Sequence, residues 1–329
     1  MSQLRLNPLN GRWVTIVADR AKRPYDFAPR SQQVEADPTR ACPFCPGSED
    51  ATPPALETQR RDGAWQVRVV PNRYPAFEGE DSMAVHNLGP VHVQADASGI
   101  HEVIILSPDH TESWKDLDDD AAAMVMAALR NRMAEQAHHA NIRYTQAIVN
   151  QGREAGASLT HPHGQLLGMP FVPGEIADEE RAFARFEGGC ILCVTAEAEL
   201  ADGVRVVMAN DDVVVLCPFW SGTPYEMLVI PMQHEGHLYD SPETALATVG
   251  RAIRDALTML ADRLGDIAYN LVFHTAPHQH GNAFHWHAHL WPKLVTVAGF
   301  ERGTGVMINI APPEEAAQEL RSVARIATS

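Results

Sequence analysis

The sequence has no run of as many as 18 apolar residues. Its longest apolar stretch, near Val213 to Trp220, is interrupted by Pro218, so no membrane-spanning helix is expected. Positive charge is also scarce. There are 26 Lys and Arg against 42 Asp and Glu, a formal net charge of -16, which argues against a general nucleic-acid surface because phosphate backbones are held mainly by Lys and Arg. An anionic small substrate then needs a locally basic or metal-assisted pocket. Cysteine is sparse as well. Five in 329 residues are too few for a disulfide framework in a chain of this length. The opening MSQLRLNPLNGRW lacks the apolar core of a secretory signal, so a cytoplasmic location is expected. Low-complexity sequence is nearly absent. The acidic patch DLDDD at 116–120 reads as a solvated helix start. What remains is a composition of 45% hydrophobic and 21% charged residues, that of a globular chain long enough for about two domains.

Against this background the placement of Cys and His is informative. Four of the five cysteines form two C-x-x-C pairs, Cys42/Cys45 and Cys190/Cys193. Two thiolates at that spacing can grip one tetrahedral zinc ion, with two imidazoles completing the set. A thioredoxin-like redox pair is the alternative. The first pair is followed by His110 in SPDH and His161 in HPHGQ, the second by His234 in PMQH and His285 in HWHAH. Both His–His separations are 51 positions, the signature of an internal repeat.

The segments between them repeat too. The β-like runs HEVIILSPDH and YEMLVIPMQH are each followed by a helical segment, 116–139 and roughly 242–264, with Pro242 expected at the first helical position. Another apolar run and a His-x-His strand complete each unit. The expected fold is α+β, two tandem units, each an antiparallel sheet with a packed helix. The N-terminal unit spans 1–175 and the C-terminal unit 190–329. The boundary falls near 175–189, where VPGEIADEERAFARFEGG turns charged.

Residues 150–165 read NQGREAGASLTHPHGQ. As a strand, period-two alternation points His161, His163 and Gln165 the same way. His161 would reach the metal, and His163 and Gln165 a pocket beside it. The small residues Gly156, Ala157 and Ser158 would let backbone N–H groups approach a phosphate. A neutral imidazole is a competent nucleophile toward phosphorus, and the Gln165 amide can bond a phosphoryl oxygen without adding charge.

This stretch resembles the active-site motif of the galactose-1-phosphate uridylyltransferase family, in the histidine-triad superfamily. RLNPLNGRWVTIVADRAKRPY at 5–25, CPFC, VVPNRYPAF, SPDH, HWHAHLWPK and AGFE at 298–301 follow in the family order, so the resemblance spans nearly the whole chain. It implies a ping-pong reaction. The uridylyl group of UDP-glucose passes to His163, releasing glucose 1-phosphate, and then to galactose 1-phosphate. By the same resemblance Cys42, Cys45, His110 and His161 hold zinc, and Asn72, Asn150, Gly156, Ser158 and Gln165 contact the nucleotide and phosphates. Arg20 and Arg23 reach in from the second subunit of a homodimer, and Phe300 and Glu301 contact the sugar. No organic cofactor is implied.

The second half offers two ligand sets. Repeat symmetry points to Cys190, Cys193, His234 and His285 as a second zinc site, and this set is favoured. The family pattern points to Glu179, His274, His287 and His289. His287 stands at the repeat position of His163, but PHQHGNAF before it lacks the small-residue approach, so a second nucleophile is not expected there. The second C-x-x-C, with GGC at 188–190 and AGFERGTG at 298–305, is also similar to a branch of nucleoside-diphosphate-sugar phosphorylases. In that branch, exemplified by ADP-glucose phosphorylase, the acceptor is inorganic phosphate. A nucleotide hydrolase and a non-catalytic zinc-dependent RNA-binding module are the remaining alternatives. The net charge and the lack of a basic aromatic stripe weigh against the last.

Overall fold

Strands and helices alternate twice along the chain. The computed structural model describes residues 2–17, 41–280 and 283–327. After β1 (Gln3–Leu6) and β2 (Trp13–Ile16) come β3 (Glu57–Arg61), β4 (Ala64–Pro71), a small hairpin of β5 (Val85–Asn87) and β6 (Val93–Ala95), and β7 (Ile100–Ile105). Helix α1 (Asp119–Ala137) leads to β8 (Tyr144–Gln151) and β9 (His163–Met169). Helices α2 (Gly174–Arg185) and α3 (Ile191–Asp202) then precede β10 (Val206–Ala209), β11 (Val213–Leu216) and β12 (Met227–Pro231). Helix α4 (Glu243–Leu264), β13 (Tyr269–His274), β14 (His287–Pro292), α5 (Gly299–Thr304), β15 (Met307–Asn309) and α6 (Pro313–Ala327) complete the chain.

Ten strands build one sheet in the order β10-β11-β12-β14-β13-β8-β9-β7-β4-β3. Read outward from the centre, β8, β9, β7, β4 and β3 mirror β13, β14, β12, β11 and β10. At the centre Ile148 of β8 lies opposite Val272 of β13, an offset of 124 positions, the same that separates His161 from His285. The two halves therefore share one sheet and are related by a pseudo-dyad through this pair.

One face of the sheet is the main core. Ala147, Val149, Leu166, Leu271, Ala288 and Leu290 pack there with Val125 and Met126 of α1 and Val249, Ile253 and Leu257 of α4. Each large aliphatic side chain buried this way contributes about 1.5–3 kcal/mol. The helices approach closely because α4 has a glycine where they cross: a Cβ on Gly250 would lie 2.8 Å from the Ala122 carbonyl oxygen. The Trp114 indole N–H donates to the Gly250 carbonyl at 3.1 Å, satisfying the one polar atom of a fully buried ring.

The helices begin and end by local chemistry. Asp118 caps α1, its carboxylate accepting from the Ala121 N–H at 2.7 Å. Asp116, the first residue of the expected helix, belongs instead to a separate 3-10 turn over residues 114–116. Pro242 occupies the cap position of α4, one residue before its first turn, and Gly265 at φ 79° follows its end. The charged stretch near 175–189 is no open linker. Most of it is α2, whose Ile176, Glu179 and Phe183 are buried along one side because residues three and four apart share a helix face. Near the chain ends, β15 pairs in parallel with β2, and Arg5 bonds Glu314 of α6 at 2.9 Å. Among the described residues no helix is long and apolar enough to cross a membrane.

Candidate active site

The face opposite α1 and α4 carries the polar chemistry. Gln165 on β9 lies between Ile148 and Val103 of the neighbouring strands, and His289 on β14 between Val272 and Leu228. Alternation thus places the His-bearing positions of both halves on one surface.

Cys42, Cys45, His110 and His161 converge, with their ligand atoms within 4.8 Å of one another. The Cys45 sulfur is 3.3 Å from His110 Nδ1 and 3.6 Å from His161 Nδ1, and the Cys42 sulfur is 3.7 Å from His161 Nδ1. A tetrahedral ion with bonds of about 2.3 Å to sulfur and about 2.05 Å to nitrogen sets the S···N edge at about 3.6 Å, so this group has the dimensions of a metal cage. His161 Nε2–H donates to the Ser107 carbonyl at 2.8 Å, which leaves the Nδ1 lone pair facing the thiols. Burial, then the neighbouring Cys42, pushes the Cys45 thiol up to about 11. A divalent cation between the sulfurs reverses that shift by favouring thiolate.

His163, the first residue of β9, stands beside this cluster. Sequence alternation placed His161 on the same strand, but the strand begins only at His163, and His161 sits in the turn before it. The His163 Nδ1–H donates to the His161 carbonyl at 2.8 Å. The lone pair is therefore on Nε2, which no described residue bonds. Burial lowers the His163 pKa, keeping the imidazole neutral near pH 7. Phe44 from the CPFC turn packs on the ring at 5.5 Å between centroids. A cavity of about 770 Å³ opens in front, lined among others by Phe44, Thr52, Asn72, Ser158, His163 and Gln165.

Of the other expected contacts, Asn150, Gly156 and Ala157 are not among the residues lining the cavity. Asn150 lies at the sheet centre opposite Asn270, its carbonyl oxygen accepting from the Asn270 amide at 2.6 Å. Gly156 adopts φ 91° with the Asn150 amide 3.9 Å from where a Cβ would be, so a glycine is needed for the backbone there. Ala157 follows in the same turn, its N–H bonded to the Gly152 carbonyl at 3.1 Å. Phe300 and Glu301 are not among the residues lining the cavity. They sit on α5, where Phe300 is exposed and Glu301 accepts from the Ala298 N–H. Arg20 and Arg23 lie outside the described residues. Sequence reading missed His101, whose Nε2 is 2.9 Å from Gln165 Oε1. Alternation along HEVII puts it on the face of Val103 and Ile105, but only the pairing of β7 with β9 brings it to Gln165.

The second half assembles both proposed ligand sets. Cys190, Cys193, His234 and His285 form a group of the same size, with S···N distances of 3.5–3.6 Å and His285 Nε2–H donating to the Pro231 carbonyl at 2.9 Å. Burial and Cys190 push the Cys193 thiol up to about 12. Glu179, His274, His287 and His289 form a third group, all four buried. His274 Nδ1 lies 3.0 Å from both Glu179 oxygens. Burial opposes ionisation of Glu179, but the three imidazoles overcome it and hold the carboxyl at about 2. His287 Nε2 and His289 Nδ1 are buried without a hydrogen-bond partner, a cost of about 1–3 kcal/mol each that a metal ion removes. Residues of all three groups thus fit a divalent metal.

His287 repeats the His163 geometry, its Nδ1–H donating to the His285 carbonyl at 2.9 Å. Its surroundings differ. Glu179 and Phe183 of α2 occupy the space in front, Phe183 packs on Phe284 at 4.7 Å, and Phe284 stacks on His287 at 6.0 Å. One half holds an open histidine-lined cavity, and the other holds the same histidine sealed by a helix.

The shared sheet, its pseudo-dyad and the cavity at His163 define a duplicated α+β enzyme. Residues 1–173 match the family model for the galactose-1-phosphate uridyl transferase N-terminal domain. The chain is 32% identical to ADP-glucose phosphorylase of Arabidopsis thaliana over 98% of its own length and 93% of that protein. It is 28% identical to galactose-1-phosphate uridylyltransferase of Thermotoga maritima over 98% of each. The crystal structure of the Arabidopsis ADP-glucose phosphorylase with bound ADP-glucose superposes with a TM-score of 0.82 at 29% identity, covering 98% of this chain and 99% of that one. A uridylyltransferase structure gives 0.78 at 26%, covering 100% of both. The chain belongs to the galactose-1-phosphate uridylyltransferase family.

Proposed function

We propose that this protein is a nucleotidylyltransferase that moves UMP from UDP-glucose to galactose 1-phosphate through a covalent uridylyl-His163. The observation that carries the reading is the His163 imidazole, with its Nδ1–H held by the His161 carbonyl and its Nε2 lone pair free at the cavity. Nε2 attacks the α-phosphorus. The N–P bond forms as the P–O bond to the β-phosphate breaks, and glucose 1-phosphate departs with the electron pair. A phosphate oxygen of galactose 1-phosphate then attacks the same phosphorus, giving UDP-galactose and restoring the imidazole. As positive charge builds on the ring in the first step, the His161 carbonyl is already aligned on Nδ1–H to stabilise it. The Gln165 amide bonds a phosphoryl oxygen. Arg20 and Arg23 add positive charge from the partner subunit of a homodimer, and Phe300 and Glu301 contact the sugar.

Zinc held by Cys42, Cys45, His110 and His161 would anchor the CPFC turn, and with it Phe44, against the turn that leads into His163. Its role is structural. The second thiolate set and the Glu179 set hold metals that brace the second half.

The likeness to the Arabidopsis ADP-glucose phosphorylase over nearly both full lengths favours a second reading, in which the acceptor is inorganic phosphate and the product ADP. Activity with galactose 1-phosphate and with phosphate, each paired with UDP-glucose and ADP-glucose, separates the two. Turnover only with UDP-glucose and galactose 1-phosphate supports the first. Turnover only with ADP-glucose and phosphate contradicts it.

A further inference from the structure

Gln165 can assist transfer only if its NH2, and not its carbonyl, faces the phosphoryl group. Nothing within the side chain decides this, since the two ends of the amide differ little in shape. The surrounding hydrogen bonds decide it. The Ala76 N–H points at His101 Nδ1 at 3.0 Å. A backbone N–H can only donate, so Nδ1 carries the lone pair and Nε2 carries the proton. The Nε2–H lies 2.9 Å from Gln165 Oε1, which accepts. The Asn72 amide nitrogen is also near Nε2, at 3.1 Å. It cannot accept, however, and its orientation is set independently by the Tyr74 N–H, which donates to Asn72 Oδ1 at 2.9 Å. Gln165 Oε1 is therefore the one acceptor available to His101 Nε2–H among these groups. With the carbonyl held, the Gln165 NH2 is left for the cavity, where it bonds no described residue. His101 is buried, and burial lowers its pKa, in keeping with the neutral ring this network needs.

We infer that His101 is a positioning residue that fixes the amide orientation of Gln165, so that the backbone of residues 74–76 dictates which end of Gln165 meets the transferring phosphoryl group. The inference rests on the nucleotidyl-His163 reading.

An isosteric pair tests it. His101→Gln can still donate to Gln165 Oε1, whereas His101→Glu presents only acceptors when ionised and turns the Gln165 NH2 away from the cavity. Single-turnover adduct formation is followed by intact mass with UDP-glucose and with ADP-glucose, in the wild-type background and in Gln165→Ala. Metal content and nucleotide affinity are measured on every variant. His101→Gln should stay within a few-fold of wild type, and His101→Glu should be slower by about tenfold or more, a part of the loss seen when an oriented donor is removed outright. Nucleotide affinity should change little. In Gln165→Ala the ratio between the two variants should collapse to about one. A ratio that persists without Gln165, or equal rates with Gln165 present, overturns the inference while leaving the adduct intact. If His101→Glu does not fold, His101→Leu takes its place, with a several-fold loss that again vanishes in Gln165→Ala. No adduct on wild-type protein with either nucleotide sugar overturns the underlying reading and the inference with it.

Discussion

His163 and His287, 124 positions apart, hold the same pose: each donates its Nδ1–H to the carbonyl two residues earlier, at 2.8 and 2.9 Å. The difference lies in what faces Nε2. At His163 it is a cavity of about 770 Å³. At His287 it is the Glu179 carboxylate, 3.8 Å away, behind the buried Phe183. A duplicated fold thus keeps one histidine open to a cavity and places its twin within a buried Glu and His group.

Replacing the two histidines should separate their roles. His163→Ala is expected to lower turnover by about a thousandfold or more, as for other covalent nucleophiles, while the metal content stays unchanged. His287→Ala should leave adduct formation at His163 measurable and lower the melting temperature. Metal analysis and timed intact mass on both variants check this.

The two thiolate groups make a prediction about metal. Protein purified with zinc and exchanged with Co2+ should show thiolate-to-metal absorption from two sites. The double substitution Cys190→Ser/Cys193→Ser should remove about half of that intensity. Because Cys42 and Cys45 sit beside His163, Cys42→Ser should cost activity as well as metal, whereas the second-half pair should chiefly cost stability. Equal loss of activity from both pairs would contradict this division.

His278 contributes a pH dependence of stability. Burial, then nearby His237, lowers its pKa to about 4 from the ordinary 6.5, and its Nε2 is 2.9 Å from the Thr145 hydroxyl. A histidine depressed by folding binds its proton more readily in the unfolded chain. Its contribution is therefore complete above about pH 6.5 and is lost as pH falls toward 4. Denaturant titrations at several pH values should show a shallower acid loss in His278→Gln than in wild type over that window. Parallel curves would contradict the assignment.

Gly250 measures the helix crossing on the far face. Its added methyl would meet the Ala122 carbonyl oxygen and Met126 Cγ, each at 2.8 Å, so α1 and α4 would have to separate. Gly250→Ala should destabilise by about 1–3 kcal/mol despite the better helix propensity of alanine, with the adduct still forming at His163.

The convergence of the Cys and His groups was legible because metal chemistry demands such residues at spacings that chance seldom repeats, and the 51-residue separation recurs in both halves. His163, the proposed nucleophile, was singled out because small residues and a Gln flank it in the sequence. Other features depend on pairings that no local pattern encodes. That β8 meets β13 at the centre of one sheet follows from burial of both strands against α1 and α4, not from any motif in either. The hydrogen bond from His101 to Gln165 exists only because β7 pairs with β9. Helix α2 was hidden by its charge: nine of its twelve residues are exposed or half-buried, and they mask the buried Ile176, Glu179 and Phe183.

The most direct measurement is the intact mass of the wild-type, metal-loaded protein after brief mixing with UDP-glucose and, separately, with ADP-glucose. The account predicts a mass increase equal to one nucleoside monophosphate residue, located on His163 by peptide mapping and absent from His163→Ala. An unchanged mass with both sugars, or an adduct that survives in His163→Ala, would contradict it.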